Sequence, residues 1–323
     1  MPTLNTNGIR VKRVRIRETP SDDFSLLKKM NCNETLVYSA SQLITYKVDT
    51  GTTYTEEIEY GSSALVPTSF TPTKSGYTFV GWRTDNAASS SVLTEKDVDT
   101  EEFTLYAVFK RTVTLSFNGN GSTSGSVETK SGTTYYNNGN KLGATFTAPS
   151  SGFKRTRYAF STWALGSASG TRYHAGDSIS VTENTVAYAK WKAVTFTTSQ
   201  FDIHGYGNSS YPNAVKEESE TKTLISSIDL TGFSTISLYI GNFHSSDSIE
   251  YDNSHGAKAR IKLSGTTVIE VSTHSESKTT GSGSYNCASI TGSRSVQYCY
   301  YNMDGNCEAA ECTLTFTSSG EEV

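Results

Sequence analysis

The sequence lacks the long hydrophobic runs of a membrane-anchored protein. Nowhere do about 18 apolar residues follow one another. The first 22 residues are basic but contain no apolar segment of the length that a secretory signal requires. Heptads and the short repeats of a fibre shaft are also missing. We therefore expect no transmembrane helix, no export by a signal peptide and no long coiled-coil fibre.

Charge and catalytic motifs are equally sparse. Charged residues make up 19% of the chain and the formal net charge is −4, which gives no reason to expect binding to nucleic acid or to a membrane surface. The five histidines lie in unrelated contexts, with no H-E-x-x-H, no G-x-S-x-G and no Cys–His signature. The sequence therefore predicts a protein that is not an enzyme and has no cofactor or metal.

The cysteines leave three interpretations open. Cys32 stands apart, whereas Cys287, Cys299, Cys307 and Cys312 lie close together near the end of the chain. Four cysteines allow three disulfide connectivities. They would also suit buried free thiols or, less typically, a metal site, although the C-x2-C pair of a zinc site is absent.

The composition is typical of β structure. The chain has 26 Gly and 19 Tyr but only three Met, and no long helical period appears. The hydrophobic fraction is low at 35%, whereas the aromatic fraction is high at 11%. Several small aromatic cores therefore fit the 323 residues better than one large core.

An aromatic pattern occurs twice in the chain. GYTFVGW at 76–82 is followed by LYAVF at 105–109, and RYAFSTW at 157–163 is followed by AYAKW at 187–191. Residues two apart on a strand point to the same face, so these aromatics can build a compact core. We predict a core role, rather than a ligand platform, for the following residues: Tyr77, Phe79, Trp82, Tyr106, Tyr158, Phe160, Trp163, Tyr188 and Trp191.

This doubled pattern resembles the Listeria–Bacteroides repeat, also called the internalin B-repeat type, of bacterial and phage surface proteins. VTLSFNGNGSTSG at 113–125 is similar to the strand and Asn-Gly turn that open the repeat. The first copy lacks this turn, and the second has Arg157 and Ser161 where the motif usually carries glycine. The resemblance covers residues 43–192 and implies two β-grasp-like modules without catalytic residues.

The N-terminal segment suggests docking strands. GIRVKRVRIRE at 8–18 predicts a strand with a bulge and one basic face, and NCNETLVYS at 31–39 predicts a turn into a short strand. The pair resembles the opening of tailed-phage minor structural proteins. The basic face could be solvated, dock on an acidic neighbouring subunit or contact nucleic acid.

Residues 193–323 predict a β-sandwich, with a jelly roll as one topology open to it. Six or more strand signals and no helix occur in this segment, and ARIKLSGTTVIEVST predicts a hairpin at Ser264-Gly265. GSGS at 281–284 is interpreted as hairpin or loop glycines. Aromatic faces stack on sugar rings while amides and carboxylates hold hydroxyls, so Tyr301, Asn302 and Asp304 are candidate glycan contacts.

The predicted organisation is mainly β and has four parts. These are docking strands at 1–42, repeat modules at 43–111 and 112–192, and the sandwich at 193–323. We favour a bacteriophage virion protein, made in the host cytoplasm, that is a tail or fibre accessory or a capsid decoration. It would bind other virion proteins through its N-terminal segment and host glycan through the sandwich, as a homo-oligomer or in several copies per particle. The alternatives are a bacterial cell-surface adhesin and a carbohydrate-active enzyme with β accessory modules.

Overall fold

The structure, a computed structural model, describes most of the chain and is built of strands. The described residues are 29–32, 35–39, 41–98, 102–204, 221–245, 257–273, 279–301 and 307–323. They contain no helix, which confirms the mainly-β prediction, and so none that could span a membrane. The basic strand predicted at 8–18 lies outside these residues. The next predicted segment contributes β1 (Lys29–Cys32) and β2 (Thr35–Ser39), which pair antiparallel.

The first repeat has the strand order of a β-grasp sheet. Its strands are β3 (Ser41–Asp49), β4 (Thr52–Glu59), β5 (Thr78–Arg83) and β6 (Thr104–Asn118). The hairpin β3–β4 is antiparallel, β6 returns parallel to β3, and β5 pairs antiparallel with β6. A parallel return requires a crossover connection. Here the crossover between β4 and β5 is irregular chain without a helix.

The second repeat begins inside β6 and adds nine short strands. They are β7 (Ser124–Gly125), β8 (Lys130–Asn137), β9 (Asn140–Leu142), β10 (Ala144–Thr147), β11 (Phe153–Lys154), β12 (Tyr158–Leu165), β13 (Arg172–Tyr173), β14 (Ser178–Val181) and β15 (Thr185–Ala193). The pairs β6–β8, β8–β9, β10–β14, β7–β11, β12–β13 and β12–β15 are all antiparallel.

The duplication extends to an irregularity in strand pairing. In β5 the register shifts between Phe79 and Gly81, and in β12 it shifts between Phe160 and Thr162. Each shift lies just before the tryptophan of the motif. A bulge bends a strand and re-aims the side chains beside it, so the equivalent tryptophans are aimed in the same way.

The described residues fold into two compact units, and the second repeat contributes to both. One unit comprises the described residues within 1–116, 128–148 and 177–186. The other comprises those within 117–127, 149–176 and 187–323. The first repeat thus lies in one unit and the sandwich in the other.

The C-terminal domain consists of two antiparallel sheets. Its strands are β16 (Phe196–Thr197), β17 (Phe201–His204), β18 (Lys222–Asp229), β19 (Phe233–Ser245), β20 (Ala257–Leu263), β21 (Thr266–Thr273), β22 (Thr279–Asn286), β23 (Ser293–Tyr301) and β24 (Cys307–Ser318). One sheet has the order β16–β24–β19–β22, with β17 also on β24, and the other has the order β18–β23–β20–β21.

The pairing of these strands is that of a jelly roll. β17 pairs with β24, β18 with β23, β19 with β22 and β20 with β21, so the chain is one long ribbon of nested antiparallel pairs. Successive pairs alternate between the two sheets. With β16 and β17 counted as one interrupted strand, this is the eight-stranded double Greek key of a jelly roll. The innermost pair turns at Ser264 and Gly265, both with positive φ, as the sequence predicts.

Two glycines allow the sheets of the jelly roll to approach each other. A Cβ on Gly281 would lie 2.6 Å from Val271 Cγ1, and a Cβ on Gly283 would lie 2.7 Å from Ile269 Cγ2. Both glycines are in β22, and the branched side chains that they meet are in β21 of the facing sheet. The segment interpreted from sequence as hairpin or loop glycines is therefore a strand that faces the core, and that interpretation is wrong.

We predict that Gly283→Ala destabilises the protein by about 1–3 kcal/mol because the methyl group overpacks this interface. Gly51→Ala is the matched control, since nothing lies within 4 Å of a Cβ at that position. Urea unfolding followed by tryptophan fluorescence measures both changes. Equal effects of the two substitutions would contradict the close approach of β21 and β22.

Candidate functional surfaces

The tryptophans of the doubled pattern lie in the cores of the repeats. Trp82, Trp163 and Trp191 are fully buried, and Tyr158 is buried. Tyr77 and Phe79 are half-buried and pack against the core of the first repeat. The Phe160 ring lies 5.0 Å from the Trp163 ring between centroids. These aromatics stabilise the modules and leave no exposed platform for a ligand.

Two of the predicted core residues, Tyr106 and Tyr188, do not lie in the core. Tyr106 and Tyr188 are half-buried, and the buried residues around them are their neighbours Leu105, Ala107 and Ala189. Because strand side chains alternate, Tyr106 and Tyr188 lie on the face opposite to these neighbours. The assignment of Tyr106 and Tyr188 to the core is therefore corrected.

The buried indoles also satisfy main-chain carbonyls. Trp82 Nε1 donates to Leu65 O at 3.1 Å, and Trp163 Nε1 donates to Pro149 O at 2.8 Å. Both carbonyls lie in the chain that leads into the motif strand. Burying an indole N–H without a partner would cost free energy, so each tryptophan fixes this chain in place.

Part of one outer face of the jelly roll is covered by uncharged polar side chains, and the carboxylate of Glu311 in β24 lies beside this part, next to Gly241. Three rows cross the sheet of β16, β24, β19 and β22, with adjacent residues directly opposite each other. The rows are Thr317–Thr235–Asn286, Thr197–Thr315–Ser237–Ser284 and Thr313–Tyr239–Ser282. None of these side chains is charged, and all but one carry a hydroxyl. We call these ten residues the hydroxyl face.

Tyr239 projects from the hydroxyl face. Its side chain is 51% exposed, which makes it one of the large hydrophobic groups that the described surface leaves in contact with solvent. In the neighbouring row Thr197 Oγ1 lies 2.9 Å from Thr315 Oγ1, so adjacent hydroxyls bond across strands. Neighbouring strands are about 4.8 Å apart. The face thus consists of rows of hydroxyl groups, and one aromatic ring projects from its last row.

The opposite outer face of the jelly roll is charged. Arg260 of β20 forms an ion pair with Glu270 of β21, with Nε 2.6 Å from Oε2. Lys262 lies on the same side of β20, two residues further on. The hydroxyl face is the candidate binding surface because it combines ten adjacent uncharged side chains with one exposed aromatic ring.

The glycan contacts predicted from sequence cannot be placed in this surface. Tyr301 ends β23, but its side chain lies outside the described residues, as do Asn302 and Asp304. The sequence patterns did not lead to a prediction of the hydroxyl face. Its signal was the alternation of polar and apolar residues in ISLYI and TLTFT, but only the pairing of distant strands joins the polar positions into one surface.

Cys287, Cys299 and Cys312 of the jelly roll are buried. Cys287 and Cys299 form no disulfide, so two bridges among the four clustered cysteines are excluded. Burial raises the pKa of the Cys312 thiol to about 12. The fourth, Cys307, has a side chain outside the described residues. Within the described part of the chain, no group of three or more His, Cys, Asp or Glu side chains could hold a metal ion.

Comparison with protein families identifies the duplicated modules. Residues 43–108 and 114–190 each match the model of the Listeria-Bacteroides repeat domain. The chain contains two Listeria-Bacteroides repeat domains. Searches of curated proteins and of solved structures find no significant match.

The second repeat domain is hydrogen-bonded to Glu322 and Val323. Val323 N donates to Trp191 O at 2.8 Å, and Trp191 N donates to Val323 O at 3.2 Å. Thr162 Oγ1 donates to Glu322 Oε1 at 3.0 Å, and Ser161 Oγ donates to the same oxygen. The register makes Thr162 the equivalent of Gly81. Thr162, rather than Ser161, therefore stands at the glycine position of the motif.

The carboxylate of Glu322 lies among cations. Arg172 Nε is 3.2 Å from Glu322 Oε2. Lys190 is only 8% exposed, and burial together with the charge of Arg172 lowers the pKa of its ammonium. Burial by itself raises the pKa of Glu322, but the bonds from Ser161 and Thr162 and the nearby positive charge lower it by more. The carboxylate is stabilised in its ionised form.

We predict that Glu322→Gln lowers stability at neutral pH and that this loss disappears in acid. Because the folded-state pKa lies below the ordinary value of 4.5, the stabilisation is complete above that value and is lost as pH falls through the folded pKa. Urea midpoints at pH 7 and pH 3 test this. Glu321→Gln, an exposed neighbour, is the control, and a pH-independent deficit in Glu322→Gln would contradict the electrostatic account.

Proposed function

We propose that this protein is a non-enzymatic surface protein of a bacteriophage particle and that its jelly roll binds neutral glycans of the host. The repeat domains carry the jelly roll, the segment 1–42 docks on other virion proteins, and several copies occur on each particle. The protein would be a tail or fibre accessory or a capsid decoration. The observation that carries the binding proposal is the hydroxyl face.

The chemistry of the hydroxyl face suits sugars. Serine and threonine hydroxyls both donate and accept hydrogen bonds, as sugar hydroxyls do. The Tyr239 ring offers an apolar surface on which a pyranose ring can stack, and tyrosine gives such contact area at low cost in conformational entropy. Since none of the ten side chains is charged, the face selects neutral sugars over uronic acids, sialic acids or phosphorylated polymers. Tyr301, Asn302 and Asp304 remain candidate contacts at the end of β23.

The virion setting rests on the fold and on the family. Jelly rolls are the architecture of many viral capsid and lectin domains, which combines the two roles proposed here. The repeat family is found in bacterial and phage surface proteins. These are analogies between folds, and the same function can occur on other folds. Immunogold labelling of purified particles tests the setting, because an adhesin would be labelled on the bacterial envelope and absent from the particles.

We predict that Tyr239→Ala weakens binding of the full chain to a neutral polysaccharide about tenfold or more, equivalent to about 1.4 kcal/mol. Stacking on the ring is lost, whereas the fold is unaffected because the side chain is exposed. A panel of immobilised neutral and acidic polysaccharides, read by biolayer interferometry, measures the change. Tyr54→Ala is the matched control, since that tyrosine is 41% exposed on the first repeat domain.

Salt provides a second arm of the same experiment. Binding through uncharged hydroxyls should change little between about 0.05 and 0.5 M salt, since screening acts on charges. Binding of neutral polysaccharide that Tyr239→Ala leaves intact would move the site away from the hydroxyl face. Absence of binding to the whole panel and to host cells would refute glycan recognition.

A further inference from the structure

The two repeat domains carry the same turn before the motif strand. Lys74 lies three residues before Tyr77, and Arg155 lies three residues before Tyr158. In each turn the tyrosine N donates to the carbonyl oxygen of the basic residue, at 3.1 Å in both. A cation and an aromatic ring are thus presented at equivalent places, 81 positions apart in the sequence.

The backbone of the turn is preserved although its sequence is not. Gly76 has a φ of 74°, and Arg157 at the equivalent position has a φ of 66°. Glycine adopts this left-handed region freely, whereas a residue with a Cβ is strained there. Arg157 gains a contact in return, because its guanidinium carbon lies 4.5 Å from the centroid of Phe196 in β16. The turn therefore keeps its shape even where the residue that favours it has been replaced.

In the first repeat domain, the turn contacts an aromatic of the second. The Tyr77 and Tyr136 rings lie 5.9 Å apart between centroids, and Lys74 Nζ lies 3.8 Å from the Tyr136 centroid. Lys74 forms an ion pair with Asp49, and Asp49 also accepts a hydrogen bond from the Tyr136 hydroxyl. Tyr136 lies in β8, which belongs to the second repeat domain.

In the second repeat domain, the turn contacts an aromatic of the jelly roll. The Tyr158 and Phe233 rings lie 6.1 Å apart, and the guanidinium carbon of Arg155 lies 3.9 Å from the Tyr158 centroid. Arg155 Nη2 pairs with Asp229 Oδ2 at 2.7 Å. The Tyr158 hydroxyl donates to Thr231 O at 2.6 Å. Asp229, Thr231 and Phe233 all belong to the jelly roll.

We propose that this cation–tyrosine turn is a docking surface built into each repeat domain and that its partner is an aromatic side chain of the β module that follows. The partners differ in kind: Tyr136 is the last residue but one of a strand of another repeat, whereas Phe233 opens a jelly-roll strand. What recurs is therefore the surface that the repeat presents, not the segment that it receives. A ring beside a cation suits this task because ring–ring contacts and cation–π contacts both stabilise such a joint.

A double-mutant cycle on the full chain tests the proposal. Within each joint, the tyrosine of the turn and the receiving ring are replaced singly and together: Tyr77→Leu with Tyr136→Leu, and Tyr158→Leu with Phe233→Leu. If the pairs act together, the combined fall in urea midpoint is smaller than the sum of the single falls. The crossed pair, Tyr77→Leu with Phe233→Leu, is the control, and its effects should add.

Three further single substitutions keep the test informative if a leucine variant does not fold. Arg155→Lys retains the charge and should behave as the wild type. Arg155→Met should lower the thermal midpoint by about 2–4 °C or more, whereas Lys154→Met, an exposed neighbour, should not. Additive effects within both joints, or equal effects of Arg155→Met and Lys154→Met, would overturn the proposal.

Discussion

A buried indole that donates its N–H to a main-chain carbonyl is the interaction on which each repeat domain depends. The crossover into the motif strand has no helix in the first repeat, so it lacks the regular hydrogen bonds of a helix. Trp82 and Trp163 stabilise this part of the chain. Each fills the core and donates a hydrogen bond to a carbonyl of that chain, Leu65 O or Pro149 O. The bulge before each tryptophan aims the ring inward. The sheet, the crossover and the core are therefore one cooperative arrangement.

The same chemistry accounts for the main difference between the two repeats. Trp191 Nε1 donates to Gly119 O and Asn120 O in the Asn-Gly turn of the second repeat. The position equivalent to Trp191 in the first repeat is Phe109, which has no donor, and the first repeat lacks the Asn-Gly turn as well. The second repeat has both the indole donor at this position and the Asn-Gly turn, whereas the first repeat has neither. The turn is stabilised by the core beneath it as well as by its own residues.

Much of this fold could be predicted from local patterns, and the remainder depends on contacts between distant residues. Aromatic spacing identified both repeats, and alternation with a Ser264-Gly265 turn identified a jelly-roll hairpin. The strand at 281–284 was missed because its glycines carry no side-chain pattern, and their purpose is visible only in Ile269 and Val271 of the facing sheet. The hydroxyl face needs the register of strands far apart in sequence, such as Thr197 beside Thr315. Sequence periodicity finds strands, but it does not show which of them become neighbours.

The strand Thr104–Asn118 belongs to both repeats at once. The first family match ends at 108 and the second begins at 114, yet the strand continues through the interval without a linker. Its early part is paired with β3, and the part from Val108 to Leu115 is paired with β8. Tension along the chain at this boundary therefore acts in shear on the hydrogen bonds between paired strands. Between residues 108 and 114 there is no unpaired linker that could extend first. Such a boundary resists mechanical load as a stiff element.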